Sequence, residues 1–248
     1  MTNLANDGSP GLLAANATRL PASRLGVAVV RDLVTAIVTG EVEPGSPLPP
    51  ESVLSRTFGV SRTVIRESVK RIEEKGLVAI EQGRGTLVRP ASSWNVLDPI
   101  VLSAMVENDE SLSVLDDLAV VRASLEASMA GLTARLRTDD ELAALGVALG
   151  RMESALDNET AFNNADAEFH LIVMAASRNT LADSITRILF QRARDSRLFR
   201  GTSPGGNLPI TLDEHRSVFD AVVARDAAAA EEAMRSHIEA AWARRRPR

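Results

Sequence analysis

The sequence predicts a mainly α-helical protein: an N-terminal winged helix-turn-helix followed by an all-α antiparallel helical bundle. Two patterns predict this. Residues 24–90 alternate short helical stretches with turn residues and end in two β runs around a Gly-Arg-Gly tip. Beyond Ser93, apolar residues recur at helical spacing almost to the end. The composition agrees, with 248 residues that are 45% apolar and 25% charged, as in a soluble globular chain.

The elements follow in order. Residues 1–20 are polar, rich in Asn, Ala and Gly, and lack the basic start of a signal peptide, so a disordered tail is expected. Residues 24–39 place Leu25, Val29, Leu33 and Ile37 at helical spacing, and Gly40 ends that helix. Residues 43–47 read as a turn cluster, and Pro49-Pro50 precede a short helix over Glu51–Phe58. Gly59 breaks it, Ser61 is an N-cap for a helix running to about Lys75, and Gly76 closes that one. Residues 77–80 and 86–89 are the arms of a hairpin. Residues 90–93 are a linker. Helices are then expected over 96–107, 111–137, 139–156, 160–177, 180–200, 210–224 and 226–245, with Ser111, Thr138, Thr160 and Thr180 as caps. The expected division is a tail (1–20), a DNA-binding domain (21–90), a linker with its helix (91–110) and a helical domain (111–245).

Charge and composition restrict function. The chain carries a net charge of −5, but Arg24–Pro90 holds ten basic against eight acidic residues, and the remainder to Arg248 holds 17 against 24. The first part is the face expected to meet DNA. Cysteine is absent, which excludes disulfides and thiolate metal sites, and no apolar run approaches the ~20 residues that a membrane helix needs. A cytoplasmic location without membrane association is expected.

In a helix-turn-helix the second helix presents its first residues to base edges. Here these are Ser61, Arg62, Thr63 and, one turn on, Arg66. Arginine bonds guanine through two donors, and threonine meets a phosphate or a thymine methyl. Arg84 and Gly85 sit at the hairpin tip, and Arg56 is placed to hold a phosphate. The alternative for each arginine is a solvated surface charge.

Residues 45–51 (GSPLPPE), 59–67 (GVSRTVIRE) and 83–86 (GRGT) resemble the GntR family of bacterial transcription regulators. The resemblance spans about residues 24–90. It implies a homodimer on a palindromic double-stranded DNA operator. Ser52 departs from the family pattern, in which an arginine that touches DNA commonly stands at that position.

The chain has three histidines, His170, His215 and His237. Asp166 and His170 leave one helix face at i,i+4. His215 and His237 lie ten residues before and 12 after the turn near Arg225-Asp226, so an antiparallel hairpin brings them to nearly the same height, roughly 15–18 Å from the bend at ~1.5 Å per residue. Three imidazoles and a carboxylate suit a divalent metal, zinc foremost, with nickel, manganese and iron as alternatives. Unrelated surface or core histidines are the competing reading.

Residues 121–126 (VRASLE), 166–170 (DAEFH), 213–218 (DEHRSV) and 234–237 (MRSH) resemble the FCD ligand-binding domain of the FadR subfamily, over about residues 111–243. That resemblance implies metal ligation by Asp166, His170, His215 and His237. It also implies capture of an effector carboxylate by Arg122, for which an ion pair with Glu126 is the alternative. Asn179 matches a family position that would bond the ligand or cap a helix. Arg187 and Arg194 share a helix face and could meet a polar ligand tail or form a solvated stripe. Eight aromatic residues and no tyrosine favour a small hydroxylated acid over a large flat ligand; residues 93–99 also resemble members associated with sugar acids. A purely structural metal and a metal-dependent hydrolase are the rival functions.

Overall fold

The computed structural model describes residues 22–195 and 207–246. The tail expected over 1–20 and the end of the helix expected over 180–200 lie outside these residues. The chain divides between Asn95 and Val96 into two compact units.

In the first unit α1 (Ala22–Val38) packs along α3 (Arg62–Glu74), and α2 (Glu51–Phe58) packs on α3 as well. Val30, Leu33, Val34 and Ile37 of α1 are buried, as are Ile65, Val69 and Ile72 of α3. The turn between α2 and α3 is made by Gly59 in the left-handed region (φ 64°) and by Ser61, whose hydroxyl accepts from the Val64 amide at 3.3 Å. β1 (Val78–Glu81) and β2 (Gly85–Val88) pair antiparallel, with Val78 opposite Val88 and Glu81 opposite Gly85.

The segment expected to be only a turn cluster does more. The Leu48 amide donates to the Thr86 carbonyl at 2.8 Å, the Val88 amide to Ser46 at 2.9 Å and Gly45 to Val88 at 2.8 Å. Residues 45–48 therefore form an edge on β2. Pro47 is tolerated there because an edge strand need not donate from every residue.

Gly76 follows α3 with φ 77°, and a β carbon on it would come within 2.2 Å of the Ser93 carbonyl oxygen. The Asn95 amide donates to the Lys75 carbonyl at 2.9 Å, so residues 93–95 lie against this glycine. Gly76→Ala faces both a left-handed φ and a backbone clash, and an expected cost of about 1–3 kcal/mol is measurable by urea unfolding. No loss of stability in that variant would disprove the close approach.

The second unit is helical: α4 (Pro99–Glu107), α5 (Ser113–Leu136), α6 (Asp139–Glu153), α7 (Glu159–Ala176), α8 (Thr180–Asp195), α9 (Leu208–Val223) and α10 (Ala227–Arg245). α5 is central. It packs on α10, α7, α8 and α9, and its buried alanines 119, 123, 127, 130 and 134 allow close approach. α4 joins this unit, with Leu102 and Val106 packed against Leu115, Leu118 and Leu189.

Some expected caps move. Thr138 caps α6 as expected, and Glu141 completes a capping box with it. Asn158, not Thr160, caps α7, and the Asn179 carboxamide accepts from Ala182 at the start of α8, where Thr180 was expected. Asp109 accepts from the Val114 amide at 2.6 Å, while Ser111 serves Ser113. Two arginines close helix ends reciprocally. Buried Arg137 donates to the carbonyls of Val222 and Val223 at the end of α9, and Arg225 to those of Arg135 and Arg137 at the end of α5. Carbonyls in the last turn of a helix lack the usual i+4 amide partner, although that of Val222 also accepts from the Arg225 amide at 3.2 Å.

Candidate functional site

The expected DNA-reading residues lie at the surface of the first unit. Ser61 is spent on the cap, while Arg62 and Thr63 open α3 and are exposed, as is Arg56 in the last turn of α2. Arg66 is also exposed, but its guanidinium is held by Glu51 through Nε at 3.1 Å and a terminal nitrogen at 2.9 Å. That bond fixes the plane of the fork. Arg84 pairs with Glu81 at 2.7 Å beside Gly85, whose φ of 87° a side chain would resist. Ser52 sits half-buried one position after Glu51.

In the second unit the four expected metal ligands meet. α7 supplies Asp166 and His170, α9 supplies His215 and α10 supplies His237. One donor atom from each lies within 4.8 Å of the others. The rings of His215 and His237 are 4.3 Å apart at their centroids, as the hairpin spacing predicts, and His170 stands 5.2 and 5.3 Å from them. All three histidines are buried.

Each ring is oriented from behind. His170 Nδ1 donates to Glu126 Oε2 at 2.6 Å, His215 Nδ1 to the Thr211 carbonyl at 2.8 Å, and His237 Nδ1 to Glu214 Oε2 at 2.9 Å. A carbonyl and ionised carboxylates only accept, so each Nδ1 carries a proton, which leaves Nε2 as the ring nitrogen available to ligate. His215 Nε2 is buried 3.2 Å from Asp166 Oδ1 yet forms no hydrogen bond. Two donors that converge without bonding each other fit a shared cation.

Electrostatics keep the set ready. Burial pushes the Asp166 carboxyl up, but His215, followed by His170, outweighs it and holds it well below the usual carboxylate range. Burial, followed by His215, pulls the His237 imidazole down to about 3, so it is neutral and able to ligate. Glu126 is likewise raised by burial but held at about 2 by Arg122 and His170. Glu214 is held at about 2 by His237 and Arg244 against its burial. The donor set fits a divalent metal of borderline softness, zinc among them.

Asp166, His170 and His237 line a small cavity of about 30 Å³ together with Arg122. Arg122 is buried, and its Nε donates to Glu126 Oε1 at 2.7 Å while its guanidinium lies 4.7 Å over the Phe190 ring. The ion pair foreseen as an alternative is thus present, with Arg122 lining the cavity and Glu126 behind it. Arg194 lines the same cavity; Arg187 does not, and pairs with Asp183. Asn179 is absent from the lining, since its carboxamide caps α8, the other role open to it. Sequence reasoning missed Arg245 and Trp242, which line the cavity from the last turns of α10. Burial lowers Arg245 from its ordinary range, with Asp166 opposing. Trp242 donates to Asp116 at 2.7 Å, and Arg246 forks onto the same carboxylate. The signal was the Arg244–Arg246 run, which reads alone as a basic helix end.

Comparison with known proteins agrees with this layout. Residues 25–88 match the model of the bacterial regulatory proteins of the gntR family, and residues 117–240 match the FCD domain. The chain is 35% identical to the galactonate operon transcriptional repressor of Escherichia coli K12, over 83% of this chain and 90% of the relative. It is 29% identical to the regulator LutR of Bacillus subtilis 168, over 82% and 92% of the two chains. A solved structure of Lar, titled as controlling the Listeria monocytogenes agr system, shares the fold at a TM-score of 0.57 and 16% identity, over 93% of this chain and 98% of that one. Both matched models and both named relatives are regulators and not enzymes, and among the described residues no helix is long and apolar enough to cross a membrane. With one family model over each unit and a relative this similar along most of its length, the chain belongs to the GntR family as a DNA-binding transcriptional regulator with an FCD domain.

Proposed function

We propose that the protein is a cytoplasmic, homodimeric repressor whose affinity for a palindromic operator is set by a small organic acid bound at a divalent metal. Asp166, His170, His215 and His237 hold the metal, zinc by preference. The acid bridges it to Arg122. The observation that carries this reading is the opening of one cavity onto three of the four converging donors and onto Arg122. A carboxylate there meets a cation on one side and a guanidinium on the other. A hydroxylated sugar acid suits the site, because Arg194 and Arg245 add polar donors. The name of the E. coli relative, which specifies galactonate, points to the same class. α8 forms part of the cavity wall through Phe190 and Arg194, and its Leu189 and Arg192 contact α4 at Leu102 and Ser103. That contact links the cavity wall to α4, the first helix of this unit. Arg62, Thr63, Arg66, Arg84 and Gly85 read or hold the DNA, with Arg56 on a phosphate.

Metal analysis of protein purified without chelator is expected to find close to one equivalent per chain; a value well below that sinks the site. A thermal-shift screen of small organic acids, run with metal present, then tests the effector. Stabilisation by hydroxylated acids, lost in Arg122→Ala, supports the clamp. No response to any acid leaves a purely structural metal as the better reading. The chain's two tryptophans are Trp94 and Trp242. In a Trp94→Phe background, emission from Trp242 at the cavity wall is expected to change when such an acid binds. An unchanged spectrum at saturation would place the acid elsewhere.

A further inference from the structure

Glu126 does not line the cavity, yet it joins two groups that do. Its side chain is 1% exposed, and both oxygens are used: Oε1 accepts from Arg122 Nε at 2.7 Å, and Oε2 accepts from His170 Nδ1 at 2.6 Å. Arg122 and Glu126 are one helical turn apart on α5, while His170 comes from α7. Phe190 closes the group, with its ring 4.7 Å from the Arg122 guanidinium and 5.4 Å from the His170 ring. A bond lost at either end of this chain is buried, so water does not replace it.

We propose that Glu126 is a positioning residue that couples the metal ligand His170 to the anion clamp Arg122, so that each orders the other before any acid arrives. This rests on the metal-and-acid reading given above. With Arg122 in place, Glu126 is fixed in the one rotamer that aims His170 Nε2 at the metal position. With metal on His170, Glu126 is fixed in the rotamer that holds Arg122 at the cavity wall. The site carries an internal comparison. His237, Glu214 and Arg244 repeat the pattern, with Arg244 on both Glu214 oxygens at 2.6 and 2.7 Å. There Glu214 is 21% exposed and Arg244 is not part of the cavity lining. Water can replace a lost bond in that group, and no clamp residue sits at its far end.

The sign of the effect separates positioning from simple charge. Arg122 is a cation beside a cation site. Coulomb's law alone has its removal strengthen divalent metal binding, whereas loss of positioning weakens it. The full-length protein is stripped of metal and titrated with Zn²⁺ by competition against a chromophoric chelator, and separately loaded with Co²⁺ for its visible spectrum, both without any acid. Arg122→Gln and Glu126→Gln are each expected to lower Zn²⁺ affinity by roughly 10–100-fold, the range for partners that orient a ligating histidine, and to alter the Co²⁺ bands. The double variant is expected to lose no more than Glu126→Gln alone, since both act through one group. Arg122→Lys, which keeps a donor within reach of Glu126, is expected to recover part of the loss. Arg244→Gln is expected to cost less than Arg122→Gln. Should Glu126→Gln fail to fold, the Arg122→Gln and Arg122→Lys pair carries the test. Unchanged or tighter Zn²⁺ binding in Arg122→Gln overturns the coupling. So does a double variant whose loss is the product of the two singles, or an Arg244→Gln loss as large as that of Arg122→Gln. A wild-type protein that binds neither metal overturns the metal reading, and the coupling with it.

Discussion

Replacing His215 with alanine is expected to abolish the metal-induced stabilisation of the helical unit. His215 is fully buried, and its Nε2 is the donor left without a hydrogen bond, 3.2 Å from Asp166. Losing a partner that merely orients a ligand costs roughly 10–100-fold in metal affinity; losing a ligand itself costs more, so affinity should fall by well over ~100-fold. At a free metal concentration 100 times the wild-type dissociation constant, binding adds about 2.7 kcal/mol to stability. For a unit of this size that is a rise of roughly 5–10 °C in Tm. The wild type should show this rise on adding Zn²⁺ to metal-free protein, and His215→Ala should show almost none. The metal-free variant also loses the Nδ1 bond to Thr211 and some packing against Phe169, whose ring centroid is 5.0 Å away. The comparison is therefore made within each protein, with and without metal. A full metal-induced rise in His215→Ala would move the metal to another set of residues.

The two pairs of ligands were legible because each is local, whereas their meeting at one metal was implied by the resemblance to the FCD domain. An i,i+4 pair shares a helix face, and two positions equidistant from a tight turn share a height. The partners behind the rings were less legible. Glu126 was visible only as the i+4 partner of Arg122. Its bond to His170 spans 44 residues and depends on how α5 packs against α7. The ambiguity over Arg122 dissolves in the same way. Ion pair and cavity wall are not exclusive, because Glu126 takes Nε while the side chain still lines the cavity.

The same division runs through the fold. Ser61, Gly59 and Gly76 could be read directly, since capping and left-handed φ are decided within a few residues. Residues 45–48 could not. Pro44 and Pro47 signal a turn, and only the position of β2 beside residues 45–48 turns the segment into an edge strand. Prolines also displaced two helix starts. α4 begins at Pro99 behind the Asp98 cap, and α9 begins at Leu208 with Pro209 in its first turn, where a missing amide proton costs nothing.

Operator binding should fail most severely in Arg62→Ala. Arg62 is the first residue of α3, exposed beside the Ser61 cap, at the end of the helix that a helix-turn-helix points into the major groove. A bidentate arginine–guanine contact carries about 1–3 kcal/mol of discrimination. If two protomers read two half-sites, the loss is taken twice, about 2–6 kcal/mol, or roughly 30-fold to more than 10⁴-fold in affinity. Arg66→Ala should cost less, because its fork already pairs with Glu51 and must leave or share that partner to reach a base. The two effects separate by salt and sequence. If Arg62 reads a base, its loss relaxes preference at one operator position and leaves competition by non-specific DNA little changed. A phosphate contact would instead weaken all sequences alike and flatten the salt dependence by about one unit. Gel-shift titrations of both variants against operator and scrambled DNA, at two salt concentrations, distinguish these outcomes. Operator binding within about twofold of wild type in Arg62→Ala would remove this arginine from the reading surface and leave Thr63 and Arg66 as the base readers of α3.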